Sequence, residues 1–117
     1  MDEMSNAVAV AHMLLGERQA RAAFLATLHE AAEPCWLILL QIYVAKDKDG
    51  SALDDIARVL DMRPSAVERL AEFMDSKGYI LRSVRSGRTI VRLEPATRHA
   101  FELLLDQISY DFRPASG

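Results

Sequence analysis

The segment from Leu53 to Leu70 constrains this chain more than any other. Its apolar residues recur at helical spacing in two short blocks, separated by Asp61-Met62-Arg63-Pro64. Two short helices that cross steeply need a small residue where they come closest, and apolar residues facing one shared core. Ala57 meets the first need. Ile56, Leu60, Val67 and Leu70 meet the second, and Met62 plugs the turn. Asp61 stands where the chain must reverse, and aspartate is among the few residues that tolerate a left-handed backbone. The spacing predicts helices over 53–60 and 65–77, with Gly78 ending the second in a left-handed conformation. An ordinary helical hairpin has the same inward pattern and stays open at this point.

The residues after the helix pair narrow the choice. Ile80-Leu81-Arg82-Ser83-Val84 and Thr89-Ile90-Val91-Arg92-Leu93 are rich in β-branched residues and flank Ser86-Gly87, which predicts a short hairpin. Upstream, apolar residues from Val8 to Leu28 predict a long helix over about 5–29, capped by Ser5 or Asn6, with Gly16 as a point where it could divide. Glu33-Pro34 opens a helix running to about Lys46, with proline where its missing N–H costs nothing. That helix is apolar nearly all round and belongs at the centre of the core. The charged stretch from Lys46 to Ser51 reads as a surface loop. Pro95 starts a last helix ending near Tyr110, and residues 113–117 read as a frayed tail. The expected fold class is mainly α, made α+β by the hairpin. One domain over 1–117 is expected, divided into an N-terminal helix region (1–33), a central core (34–94), a C-terminal helix (95–112) and the tail.

Half of the 117 residues are apolar, enough for one core. The lone cysteine, Cys35, excludes an intrachain disulfide and fits a reducing compartment. Met1-Asp2-Glu3 is acidic, and His12, Glu17 and Arg18 break the apolar stretch behind it, unlike a signal peptide. The longest apolar run, Cys35 to Leu40, is too short for a membrane span. A cytoplasmic location with no membrane contact is the expectation. Net charge is −3, yet residues 51–94 hold eight basic and seven acidic residues. The basic residues of that segment gather at its end as Lys77, Arg82, Arg85, Arg88 and Arg92.

A helix-turn-helix followed by an arginine-bearing hairpin, or wing, is an architecture that reads double-stranded DNA. On the second helix, Ser65, Ala66, Glu68, Arg69 and Glu72 lie off the Val67/Leu70/Met74 stripe. Arg69 has the fork geometry for guanine, and Glu68 can accept a hydrogen bond from cytosine. Arg63 and Ser65 sit at the helix entrance, a place suited to a phosphate. Arg85 and Arg88 flank the wing tip and are candidates for the minor groove or backbone. Arg82 and Arg92 are alternatives that brace the hairpin instead. Glu68 and Glu72 also support a rival reading, a winged-helix protein-interaction module without DNA binding.

The chain resembles the MarR family of winged-helix transcription regulators from about Pro34 to Leu105. The resemblance rests on the apolar helix Trp36–Tyr43, the pair Ile56-Ala57, the run Met74-Asp75-Ser76-Lys77-Gly78-Tyr79-Ile80-Leu81-Arg82, and Val91-Arg92-Leu93-Glu94-Pro95. It departs from the family pattern in a short wing, Arg85-Ser86-Gly87-Arg88, without an acid, and in Thr97 where a glycine is expected. The resemblance implies a homodimer built by the N- and C-terminal helices. It also implies recognition helices (65–77) in the major groove and wings (82–92) on the minor groove or backbone.

Homodimerisation is also expected from the residues themselves. The apolar faces of 5–29 and of Phe101, Leu104, Leu105 and Ile108 exceed what one small core needs. Cys35 in a helix first turn is a candidate redox site if the dipole lowers its pKa, and a small hydrophobe otherwise. His12, His29 and His99 lack metal-ligand spacing, and no nucleophile–base set or phosphate loop appears. No metal, cofactor or enzymatic activity is expected. Phe73 falls on a predicted exposed position, facing another helix or a partner. Aromatic residues between the terminal helices and the winged core are candidates for the pocket of an unknown small-molecule effector. Periodicity does not separate such a pocket from core.

Overall fold

The computed structural model describes residues 2–45 and 49–112, with side chains from Asn6 to Ser109. Two expectations, the loop at Lys46–Lys48 and the tail at 113–117, lie outside the described residues. The elements run α1 (Asp2–Phe24), a 3₁₀ segment (Ala26–Ala31), α2 (Ala32–Ala45), β1 (Ser51–Ala52), α3 (Leu53–Leu60), α4 (Pro64–Ser76), β2 (Ile80–Arg85), β3 (Arg88–Leu93) and α5 (Pro95–Phe112). The architecture is helical with one three-stranded antiparallel sheet, ordered β1-β3-β2.

The expected first helix differs in both ends. It begins at Asp2, so Ser5 and Asn6 lie inside it rather than at its cap, and it passes through Gly16 without dividing. It stops at Phe24, short of residue 29. The chain then tightens into the 3₁₀ segment, where His29 takes φ 50°, ψ −121°. This break turns Leu25 and Leu28 inward, each 1% exposed, and their burial compensates for the irregular backbone. Both leucines keep helical spacing in the sequence, which is why the pattern concealed the turn.

The core forms around α2. Cys35, Trp36, Ile38, Leu39 and Ile42 of α2 are buried against Ile56, Ala57, Val67, Ala71, Met74, Ile80, Val91 and Leu93. Ala57 of α3 and Ala71 of α4 are both buried small residues, the second one the spacing had not singled out. Asp61 ends α3 at φ 54°, ψ 46°, in the left-handed region its position required. Gly78 follows α4 at φ 82°. Ser86 and Gly87 have φ of 53° and 74°. Positive φ at both central residues is the two-residue turn whose twist matches a hairpin.

Ser51 is not part of a loop. With Ala52 it forms β1, paired to Val91 and Ile90 of β3. The preceding Gly50 is buried at φ +100°, and a Cβ there would fall 2.7 Å from Ile90 Cγ2 and 2.8 Å from the Val91 carbonyl oxygen. Only a residue without a side chain lets this segment cross β3.

α1 and α5 pack on each other and form an arm. The radius of gyration is 16.2 Å, against about 13 Å for a compact chain of this length. Along the arm Val8, Leu14, Leu15 and Leu103 are more than half exposed. Phe101, expected on the same exposed face, is instead fully buried. Its ring lies 5.2 Å from Trp36, 5.4 Å from Tyr43 and 5.8 Å from Phe24, so it pegs α5 to the core. Among the described residues no single helix is long and apolar enough to cross a membrane.

Candidate nucleic-acid interface

α4 divides cleanly into two faces. Val67, Ala71 and Met74 are buried, while Ser65, Glu68, Arg69 and Glu72 are exposed at helical spacing. Ala66 and Leu70 are half-buried between them. Arg63 precedes α4 in extended conformation, with Pro64 at the first helical position. Its carbonyl accepts from the N–H groups of Ala66 and Val67, at 3.0 and 3.1 Å. No side chain caps this end, so the first turn carries the partial positive charge of an open helix N-terminus. Phe73 is not exposed as expected. It is half-buried against the core, with the Lys77 ammonium 5.7 Å from its ring centre.

The arginines fall into two groups. Among the described residues the Arg63, Arg69 and Arg92 guanidinium groups have no ion pair or hydrogen bond. Arg82 braces the wing against α4: its Nε donates to Asp75 at 2.8 Å, and Nη1 lies 3.9 Å from Glu72. Arg85 donates to the Asp49 carbonyl at 3.2 Å. Arg88 does not project freely from the wing tip. Its Nη2 donates to Asp55 at 3.2 Å and its Nε lies 3.4 Å from Asp54, both in the first turn of α3. Asp49, Leu81, Arg82, Ser83, Arg85 and Arg92 line a shallow groove on the sheet. Arg63, Ser65, Arg69 and Arg92 thus offer unpaired polar groups, whereas Arg82, Arg85 and Arg88 are tied to other elements.

A joint that the spacing had not signalled links this head to the arm. Tyr79, directly after Gly78, donates from its hydroxyl to the Phe24 carbonyl at 3.0 Å. With that proton committed, the Thr27 hydroxyl donates to the Tyr79 oxygen at 2.9 Å. The Glu94 N–H donates to the Tyr79 carbonyl at 3.1 Å, and the Thr97 hydroxyl donates to the Gly78 carbonyl at 3.3 Å. The end of α4, the end of α1 and the start of α5 are joined at one place.

Cys35 is fully buried. Burial pushes its thiol up to about 11, opposite to the lowering expected from a helix first turn. Burial and the raised pKa favour the packed hydrophobe over the reactive thiolate of the two alternatives for Cys35. Among the described residues no group of three or more His, Cys, Asp or Glu is arranged to hold a metal.

No family model matches the chain, and no curated protein matches it. Solved structures do. MepR, a transcription regulator of the Staphylococcus aureus multidrug efflux pump MepA, superposes with a TM-score of 0.64 at 19% identity, over 86% of this chain and 75% of that one. The reduced form of AbfR bound to DNA gives 0.61 at 16% identity, over 92% and 76%. The oxidized form of MarR from E. coli gives 0.59 at 16% identity, over 88% and 73%. The match in each case includes the arm as well as the head. The chain has the winged helix-turn-helix fold of these regulators.

Proposed function

We propose that the protein is a homodimeric, DNA-binding transcription regulator of the MarR type, acting in the cytoplasm without catalysis. The observation that carries this reading is the α4 stripe. Ser65, Glu68, Arg69 and Glu72 face outward on the second helix of a helix-turn-helix, beside the unpaired Arg63 and flanked by a wing. Similarity to a DNA-bound structure over both head and arm supports it. α4 lies in the major groove, Arg69 and Glu68 meet base edges, and Arg63, Ser65 and Ala66 meet the backbone at the helix entrance. Arg92 serves the adjacent phosphates from the wing, joined by Arg85, whose single bond to the Asp49 carbonyl leaves its other N–H groups for a phosphate.

The arm supplies the dimer. Val8, Leu14, Leu15 and Leu103 form an exposed apolar face that a second copy covers by two-fold symmetry. Half-site centres then lie about 34–36 Å apart, one turn of the duplex. Sedimentation as a monomer at micromolar concentration contradicts this arrangement. Arg69→Ala is expected to narrow the affinity gap between a selected operator and random duplex, by about 1–3 kcal/mol if Arg69 reads a guanine. An unchanged gap removes Arg69 from base recognition.

One observation favours a second reading. Glu68 and Glu72 place two carboxylates on the exposed stripe, and such a face suits a basic protein partner. Binding to a protein with an affinity that depends on these two acids, and none to duplex DNA, is the result that selects it.

A further inference from the structure

The wing poses a physical problem. Its antiparallel register sets Arg85 directly opposite Arg88 at the tip, and Leu81 opposite Arg92. Like charges facing each other across a strand pair destabilise it. Burial does not hold the tip either: residues 81–88 are all exposed. β1 supports β3 only at Ile90 and Val91, so the hairpin beyond them is two strands standing alone, which is marginal in water. The two arginines take different partners. Arg85 turns to the Asp49 carbonyl, and Arg88 to α3.

On α3, Asp54 and Asp55 occupy the first turn, where the helix dipole favours negative charge. Asp55 Oδ1 receives Arg88 at 3.2 Å and Arg58 at 2.9 Å, while Asp54 Oδ2 lies 3.4 Å from Arg88 Nε. Two carboxylates from one helix turn therefore hold the guanidinium of a residue at the wing tip. The resulting contact joins the first helix of the helix-turn-helix to the hairpin across 33 residues of sequence.

We propose that Asp54 and Asp55 are positioning residues that clamp Arg88 and thereby fix the wing at the angle from which Arg85 and Arg92 reach phosphates. This deepens the DNA-binding reading and rests on it. The clamp makes a prediction opposite in sign to simple charge counting. Removing two acids beside a polyanion raises affinity if charge alone matters. If the acids hold the wing, their removal lowers affinity because the hairpin's contacts must be ordered on binding.

The experiment is a double-mutant cycle read by duplex DNA binding at fixed low salt, with the full chain. Its corners are wild type, Arg88→Gln, Asp54→Asn/Asp55→Asn, and all three together. Any loss of helix stability from the asparagines is present in both Asn corners and cancels in the coupling. The expected result is that Arg88→Gln and Asp54→Asn/Asp55→Asn each weaken binding by about three- to tenfold, while adding Arg88→Gln to the Asn background changes little. Tighter binding by Asp54→Asn/Asp55→Asn overturns the clamp in favour of simple charge repulsion, and an equal Arg88→Gln loss in both backgrounds overturns it and makes Arg88 an independent DNA contact. Absence of wild-type binding to any duplex is a different outcome, which removes the DNA reading and the clamp with it.

Discussion

Phe101→Ala is expected to lower the free energy of unfolding by about 3–5 kcal/mol. Phe101 is the one fully buried side chain described on α5, and it touches rings from α1 and α2 at once. Truncation removes the apolar contact and leaves a cavity between elements that cannot collapse without moving the arm. A small domain has only about 5–15 kcal/mol in total, so this variant stands near the limit of folding. Its melting temperature should fall by about 10–20 °C. Denaturant unfolding of purified protein measures this directly. A loss below about 1 kcal/mol contradicts the packing assigned to Phe101, since such a value belongs to surface positions. The substitution also separates a core role for Phe101 from a role in the dimer face. If Phe101 belonged to the exposed dimer face, its loss would weaken dimerisation and leave the stability of the monomer unchanged.

The second large effect is expected at Gly50. Gly50→Ala adds a Cβ 2.7 Å from Ile90 Cγ2 and 2.8 Å from the Val91 carbonyl, in a backbone at φ +100°. Conformational strain alone costs about 1 kcal/mol at such a position. The close approach adds to this because a carbonyl in a sheet cannot swing away like the end of a side chain. The total loss is expected to be about 3 kcal/mol, with β1 pushed from β3. Gly87→Ala is the matched control. It also has positive φ, +74°, but a Cβ there meets open space. Unfolding of the two variants separates strain from collision, and equal losses contradict the crossing described for Gly50.

These two positions illustrate what the sequence disclosed and what it withheld. The inward pattern Ile56, Ala57, Leu60, Val67 and Leu70 specified the helix pair. Asp61, Gly78 and Ser86-Gly87 marked backbone reversals that the structure places at positive φ. Such features are local, because a residue's own sterics or its helical period carries the information. Gly50 gave no such signal: β1 is two residues long, and its partner strand lies far along the chain. The turn after Phe24 was hidden because Leu25 and Leu28 retain helical spacing while the backbone leaves the helix. Phe101 shared its periodicity with exposed neighbours, so only the fold distinguishes peg from interface.

The same division holds at the site. Arg63, Ser65, Glu68 and Arg69 were identifiable as an outward stripe from spacing alone. The partners of Arg82, Arg85 and Arg88 were not, since Asp75, Asp49, Asp54 and Asp55 meet them through tertiary contact. The opposition of Arg85 and Arg88 across a two-residue turn was the one available sign that the wing needs an external anchor. The two alternatives for Cys35, lowered thiol or small hydrophobe, were left open in the sequence for a related reason. Position in a helix first turn is readable from the sequence, whereas the complete burial that raises the thiol's pKa is set by tertiary packing.

In the proposed function this winged head binds duplex DNA through a small set of arginines on an otherwise acidic chain. Binding of the wild-type protein to genomic and random duplexes, measured across a range of salt concentrations, tests it most directly. A dimer meeting about six to eight phosphates gives a slope of roughly −5 to −7 in log affinity against log salt. One class of fragments should also bind more tightly than random sequence at every salt concentration. Failure to bind any duplex at low salt, or an affinity indifferent to salt, contradicts the claim.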